Sequence, residues 1–440
     1  MSGRLIESLA TTNALAGAFS DAAVLDGMLR FEAALARAEA DAGVIPQSAA
    51  AAIAAVTVDV FDAAAIARSA RASGSITVPF VEALTARVRA AAPDAAAFVH
   101  WGTTSQDVSD TALVLCLVRA LGIMSADHTR LAGALRRLSE AHAATVMLAR
   151  TLLQPAPPTT FGLKAAGWFG AVSRSEAAIT SAAREACVLQ FGGASGTLAA
   201  LGPRGLTVAS ALARQLELPL PDAPWHAHRD RLASLVAACG VYTGALGKIA
   251  RDVSLLMQGE VAEAAEPGGA SSTMPHKRNP AGCAVALAAA TRVPGLVSAF
   301  LSGMPQEHER GVGGWHAEAA TVAAVVQATG AALAAVADAI ETLSVDPGAM
   351  RRNLAATRGV VFAERAMMLL APALGREAAR RLIAAAVDAA VRDRKDFVDV
   401  LTANPEVVSA LTPQDLSSLG APEAYLGAAE QFRRRLLGGD

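Results

Sequence analysis

The sequence predicts an all-α protein built around long helices, and three observations carry that reading. Proline is absent from 94–154, 159–202, 225–266 and 306–346, whereas Pro155, Pro157 and Pro158, and again Pro219, Pro221 and Pro224, cluster between those intervals. Proline lacks a backbone donor and clashes with the preceding helical turn, so the gaps mark helices and the clusters mark their connections. Little of the chain alternates with period two over β-branched runs, so no sheet of any size is expected. The Ala-rich tracts favour helix and do not read as disorder.

Taken in order, the first helix is placed by Ser20 as its cap and by Val24, Leu25, Met28, Leu29 and Leu35 at helical spacing, with Gly43 and Pro46 ending it. It opens an N-terminal helical domain, residues 1–108. A helix filling much of Asp110 to Leu148 would be about 50 Å long, a length that suits an extended bundle. The uncharged run Ala319 to Ala337 is mostly alanine and is interrupted by Thr321, Gln327, Thr329 and Gly330. It reads as a helix buried inside a bundle and not as a membrane span. These helices make a central domain, 109–346, which includes the loop 268–280. After Asp346-Pro347-Gly348 the helices become shorter and more charged, a small C-terminal domain, 347–440.

With 40 acidic and 38 basic residues the net charge is -2, which gives no electrostatic reason to expect nucleic acid or an anionic membrane. A small molecule or another protein chain is the expected partner. Hydrophobic residues make up 53% and the mean hydropathy is +0.37, and this apolar surplus is best hidden between subunits, so an oligomer is expected. Cys116, Cys187, Cys239 and Cys283 lie far apart in apolar stretches, as reduced core residues of a cytoplasmic protein do. The N-terminus shows no basic region followed by an apolar run, so no signal peptide is expected.

The rare residues cluster. His100-Trp101, Trp225-His226 and Trp315-His316 are adjacent pairs, each in a polar stretch near an expected helix end: HWGTTSQDVSD (100–110), PWHAHRDR (224–231) and QEHERGVGGWH (306–316). Polar clusters at the ends of apolar helices are what a site assembled from several elements leaves in a sequence; the alternative is a set of interhelix networks and caps. Glu307, His308, Glu309 and His316 are potential metal ligands, but no ligand spacing accompanies them and no metal is expected.

Between two helical segments lies GGASSTMPHKRNP (268–280). It closely resembles the signature of the fumarase/aspartase superfamily, and GTTSQDVSDTA and ARTLLQPAPPTTFG (149–162) resemble further regions of that superfamily in the expected order. PWHAHRDR and QEHERGVGGWHAE are most similar to its bacterial 3-carboxy-cis,cis-muconate cycloisomerase branch. The resemblance implies three helical domains, a long central helix bundle forming a twenty-helix tetramer core, and active sites shared between subunits. It also implies proton transfer at a carbon next to a carboxylate, coupled to making or breaking a bond at the β carbon, without a cofactor.

By position, the resemblance makes Ser271 the catalytic serine and Lys277 and Asn279 its carboxylate-binding partners. A serine hydroxyl is a very weak acid and acts only where N–H groups and cationic charge stabilise its alkoxide, and Gly268 and Gly269 are read as giving the loop room to close. Ser272 or a histidine is the fallback for the proton transfer. His100, Thr104, Ser105, Gln106, Gln154 and His276 are candidate substrate-binding residues, the Thr104 stretch through hydroxyl, amide and N–H groups at a helix N-terminus. Asp107 is either part of this or a helix cap only. Arg310 and Arg229 are candidate carboxylate clamps, although Arg229 is equally suited to hold Asp230 or a neighbouring helix.

One departure selects the branch. Where the superfamily's lyases carry Thr-His-x-Gln, this chain has Leu152, which cannot exchange a proton. An amine leaving group would miss that acid by about 10²- to 10⁴-fold in rate, whereas a carboxylate is stable as an anion and needs none. Leu152 thus favours lactone formation from 3-carboxy-cis,cis-muconate, a step of protocatechuate breakdown, over an adenylosuccinate-type lyase. A catalytically silent structural tetramer is the reading from another class, and intact Ser271, Lys277 and Asn279 argue against it.

Overall fold

The computed structural model describes residues 5–269, 274 and 277–439, and among them helices dominate. Five are long: Ser105–Ala141, Phe161–Ala186, Asp230–Leu256, Ala281–Ser302 and Gly314–Glu341. Four of these lie in the four proline gaps. The fifth contains Pro294 in its interior, where the proline rule alone would have broken it.

The described residues form two compact units. One comprises Met1–Thr129, Arg174–Gly247 and Val285–Ala335; the other comprises Arg130–Ser173, Lys248–Ala284 and Val336–Asp440. In the first, Ser20 caps the helix Asp21–Asp41 by accepting from the Ala23 N–H. That helix buries Met28, Phe31 and Leu35 and packs against Gln47–Ala54 and Gly205–Leu216. A Cβ on Gly27 would stand 3.2 Å from the Cα of Ala112, so glycine here lets the first helix approach the helix Ser105–Ala141 backbone to backbone.

The second unit holds the C-terminal helices, whose core is built from Leu370, Ile383, Phe397, Leu401, Val407 and Leu419. Asp346 caps the helix Pro347–Ala355 through the Ala349 N–H at 2.9 Å. This unit also contains a hairpin, Val146–Thr151 with Gln154–Thr160, and a two-residue pairing of Ala264–Ala265 with Ser344–Val345. The hairpin corrects the expected helix: Ser105–Ala141 stops short of Leu148, and 146–148 are strand. Val146, Thr151, Thr159 and Thr160 favour extended backbone, and a ladder of two strands has only edges, where Pro155, Pro157 and Pro158 are tolerated.

Four helices, Ser105–Ala141, Asp230–Leu256, Ala281–Ser302 and Gly314–Glu341, are long and apolar enough to cross a bilayer by length and composition. In the most apolar stretch of Ala281–Ser302 only 22% is buried within the chain. Cys116, Cys239 and Cys283 are buried and all four cysteines are free thiols.

Candidate active site

In the first unit the starts of three long helices meet in a polar cluster. Asp107 and Asp110 sit in the first turns of Ser105–Ala141, Arg229 immediately precedes Asp230–Leu256, and Trp315 and Glu318 lie near the start of Gly314–Glu341. Carboxylates are favoured at helix N-termini, where the unpaired N–H groups and the helix dipole are positive. Two of the three Trp/His pairs reach this region. Trp315 Nε1 donates to Asp110 at 3.0 Å, Trp225 Nε1 donates to the Leu189 carbonyl at 3.0 Å, and His226 Nε2 is 2.6 Å from Asp107.

Arg229 is the largest of the fully buried side chains. Its Nε donates to Glu318 at 2.9 Å, Nη1 to Asp110 at 2.8 Å and to the Trp225 carbonyl, and Nη2 to Asp110 at 3.2 Å and Glu318 at 2.6 Å. The guanidinium also lies 4.5 Å above the Trp225 ring. All five N–H groups are therefore committed. This corrects the expectation that Arg229 clamps substrate: it ties three helices together, and its partners are Asp110 and Glu318, not Asp230. Burial lifts the Glu318 carboxyl above the ordinary carboxylate range against the opposing pull of Arg229.

Gln106 is 1% exposed; its amide nitrogen donates to Asp110 at 3.2 Å and to the His226 carbonyl at 2.9 Å, while its buried Oε1 has no partner among the described residues.

Other expected groups remain available. Arg310 donates from Nη1 to Thr104 Oγ1 at 3.0 Å and from Nη2 to the Ala194 carbonyl at 3.1 Å, and its buried Nε has no partner among the described residues. Its turn is held by Gln306, which donates to Glu318 at 2.7 Å. Ser105, at the start of its helix, is partly exposed.

His100 stands at φ 59°, with its Nδ1 2.5 Å from Glu32, a carboxylate that also accepts from the His100 N–H. Burial works against the charged imidazole, but the hydrogen bond and charge of Glu32, with Asp107, outweigh it and hold the pKa above its ordinary value.

The second unit carries the loop. Ser271 and His276 lie outside the described residues. Lys277 is exposed and its ammonium has no carboxylate partner among the described residues. The loop's stem is clasped twice: Glu266 accepts from the Gly282 N–H at 3.1 Å at the start of Ala281–Ser302, and the Asn279 N–H donates to the Gly269 carbonyl at 2.9 Å. Gly269 has φ +78° and a Cβ there would collide with the Asn279 backbone. Its requirement is thus close approach and left-handed backbone at a fixed stem, which revises its reading as freedom to close.

Leu152 and Leu153 form the two-residue tip of the hairpin, at φ 51° and 64° and exposed by 97% and 77%. Left-handed backbone suits Asn-Gly and strains bulky side chains, so this turn carries a cost that local propensity does not explain. Gln154 begins the second strand, exposed and paired with Thr151.

Sequence reasoning missed Asp110 and Glu318. Their one signal was position: acidic residues in the first turns of apolar helices, beside the Trp/His pairs.

A family model described as "Lyase" matches residues 7–295, and one described as "Adenylosuccinate lyase C-terminus" matches 359–436. The chain is 47% identical over 438 residues to a 3-carboxy-cis,cis-muconate cycloisomerase of Bradyrhizobium diazoefficiens, covering 98% of this chain and 97% of that one. It is 41% identical to a nitrosuccinate lyase of Streptomyces davaonensis, covering 96% and 92%. The crystal structure of the 3-carboxy-cis,cis-muconate lactonizing enzyme from Pseudomonas putida aligns with a TM-score of 0.94 at 44% identity, over 99% of this chain and 98% of that one.

Proposed function

Because the chain belongs to the lyase family of the fumarase/aspartase superfamily, on its 3-carboxy-cis,cis-muconate cycloisomerase branch, we propose that it closes 3-carboxy-cis,cis-muconate to a carboxymuconolactone in aromatic catabolism. One substrate carboxylate adds to the conjugated double bond. The electrons displaced from that bond pass onto the neighbouring carboxylate, giving an enolate-like intermediate, and a proton added at the adjacent carbon completes the lactone. In this reading Ser271 delivers the proton, Lys277 and Asn279 stabilise the developing charge, and Thr104, Ser105 and Arg310 bind a carboxylate. His100, Gln154 and His276 complete the binding surface. The steps balance without a cofactor or metal.

The observation that carries the reading is Leu152. By the resemblance, Leu152 takes the position of the acid that an amine-expelling lyase would need, and ring closure needs none. The purified protein should consume 3-carboxy-cis,cis-muconate, seen as loss of the diene's ultraviolet absorbance, and should release no fumarate from adenylosuccinate or argininosuccinate. Leu152→His should not speed lactonisation. Efficient fumarate release would return the assignment to the amine-expelling lyases. The 41% identity to a nitrosuccinate lyase favours a second reading, elimination of nitrite from a substituted succinate, since nitrite is also stable as an anion; assay of nitrosuccinate separates the two.

The reading extends to assembly. Three helical domains, 1–108, 109–346 and 347–440, form a cytoplasmic homotetramer with a twenty-helix core, and each site draws groups from more than one subunit. The exposed apolar face of Ala281–Ser302 supports this, because subunit packing would bury it. Light scattering should give the mass of four chains, and a monodisperse monomer at micromolar concentration contradicts it.

A further inference from the structure

Asp107 begins no reaction step in this reading, yet its carboxylate, fully buried, holds both segments on which Arg310 rests. Oδ2 accepts from Thr103 Oγ1 at 3.1 Å, the Thr104 N–H at 3.2 Å and the Gly193 N–H at 2.9 Å. Oδ1 accepts from the Gly192 N–H at 3.0 Å and pairs with His226 Nε2 at 2.6 Å. Arg310 in turn donates to Thr104 Oγ1, and to the carbonyls of Ala194 at 3.1 Å and Gly193 at 3.4 Å.

The two segments are far apart in sequence, 85 and 86 residues from Asp107 on the glycine side, and each is short irregular backbone with no ladder of its own. A helix cap needs only the Thr104 N–H. The bonds to Gly192 and Gly193 do nothing for the helix; they bring a second loop into register with the first.

We infer that Asp107, backed by His226, is a positioning residue for substrate binding: it aligns the 103–104 turn with the 192–194 loop so that Arg310 is held by Nη1 and Nη2 in the place from which it grips a substrate carboxylate. This rests on the assignment of Arg310 to substrate. The consequence is specific to binding. A guanidinium held in place grips a carboxylate in the ground state and in the transition state alike, so loosening it raises KM and leaves kcat nearly unchanged.

Asp107→Asn is the sharpest test. The amide nitrogen brings N–H groups to a position that now accepts them, and whichever way it turns, at least one backbone N–H among Thr104, Gly192 and Gly193 loses its acceptor. In a crystal structure of this variant Arg310 should have left Thr104 and the 193–194 carbonyls while the helices starting at Ser105, Asp230 and Gly314 keep their places. Arg310 retaining those partners overturns the inference, whatever the substrate proves to be.

Kinetically, KM for 3-carboxy-cis,cis-muconate should rise by about tenfold or more with kcat within about threefold. In an Arg310→Met background, Asp107→Asn should add less than about twofold to KM, since residues acting through one group are not additive. Additive losses, or a kcat loss at unchanged KM, count against a positioning role. If Asp107→Asn does not fold, His226→Leu removes the His226 contact to Oδ1 and leaves the Gly192 bond, and is read in the same two ways. Failure of the unmodified protein to consume the tricarboxylate sinks the functional reading by itself, and the crystal structure still decides the position of Arg310.

Discussion

Replacing Glu39 by Gln should change how stability responds to pH, by an amount the structure sets. Glu39 lies on the helix Asp21–Asp41, 0% exposed, and neither carboxyl oxygen has a hydrogen-bond partner among the described residues. Glu32 stands two turns earlier on the same face. Burial first, and the charge of Glu32 second, push the Glu39 pKa from 4.5 to about 9. At neutral pH the folded protein therefore keeps a proton on Glu39 that the unfolded chain releases.

A folded state that binds the extra proton loses stability as pH rises from the unfolded pKa towards the folded one, at about 1.4 kcal/mol per pH unit. Between pH 6 and pH 8 the loss is about 3 kcal/mol on that slope. Gln keeps the shape and does not titrate. The unfolding free energy of the variant minus that of the parent should thus grow by about 3 kcal/mol over those two units, on top of a constant offset from burying an amide. Urea unfolding at pH 6, 7 and 8, followed by tryptophan fluorescence and circular dichroism, measures this difference, and titrating groups common to both proteins cancel. A difference that does not change with pH would mean that Glu39 is ionised and paired, and the reasoning fails. Glu39 has no assigned part in the reaction, so turnover should be unaffected.

Arg229→Met should destabilise the fold by about 3–5 kcal/mol, because Asp110 and Glu318 would be left buried without their shared cation; a large KM rise at unchanged melting temperature would instead return Arg229 to the substrate. Ser271→Ala should keep the fold and oligomer and lower kcat by about 10² or more, and near-normal turnover would move the proton transfer to Ser272 or a histidine. Gly269→Ala should cut kcat with little change in melting temperature, since its Cβ meets the Asn279 backbone at the loop stem. A fully active variant would show that the stem geometry does not govern the loop.

Much was legible in the sequence because it depends on local chemistry. Proline disfavours helix interiors, so its gaps placed four of the long helices, and Ser20 caps its helix through its own neighbour's N–H group. The loop's reactive groups, and the lack of an exchangeable proton at Leu152, are properties of single residues and needed no fold. The hairpin at 146–160 was not legible: a threonine- and proline-rich stretch has no strong period, and only pairing with the facing strand gives its extended backbone partners.

The roles of the polar residues were decided by tertiary structure. Arg229 and Arg310 are the same residue type in similar polar stretches, and both qualified as carboxylate clamps. What separates them is where the counter-charges fall: Asp110 and Glu318, 119 and 89 residues from Arg229, occupy every donor of that guanidinium, whereas Arg310 meets a hydroxyl and two carbonyls and keeps Nε unpaired. A sequence specifies which groups carry charge and which donors they own, but whether those donors are already used depends on distances of about 3 Å between chain segments that only packing brings together.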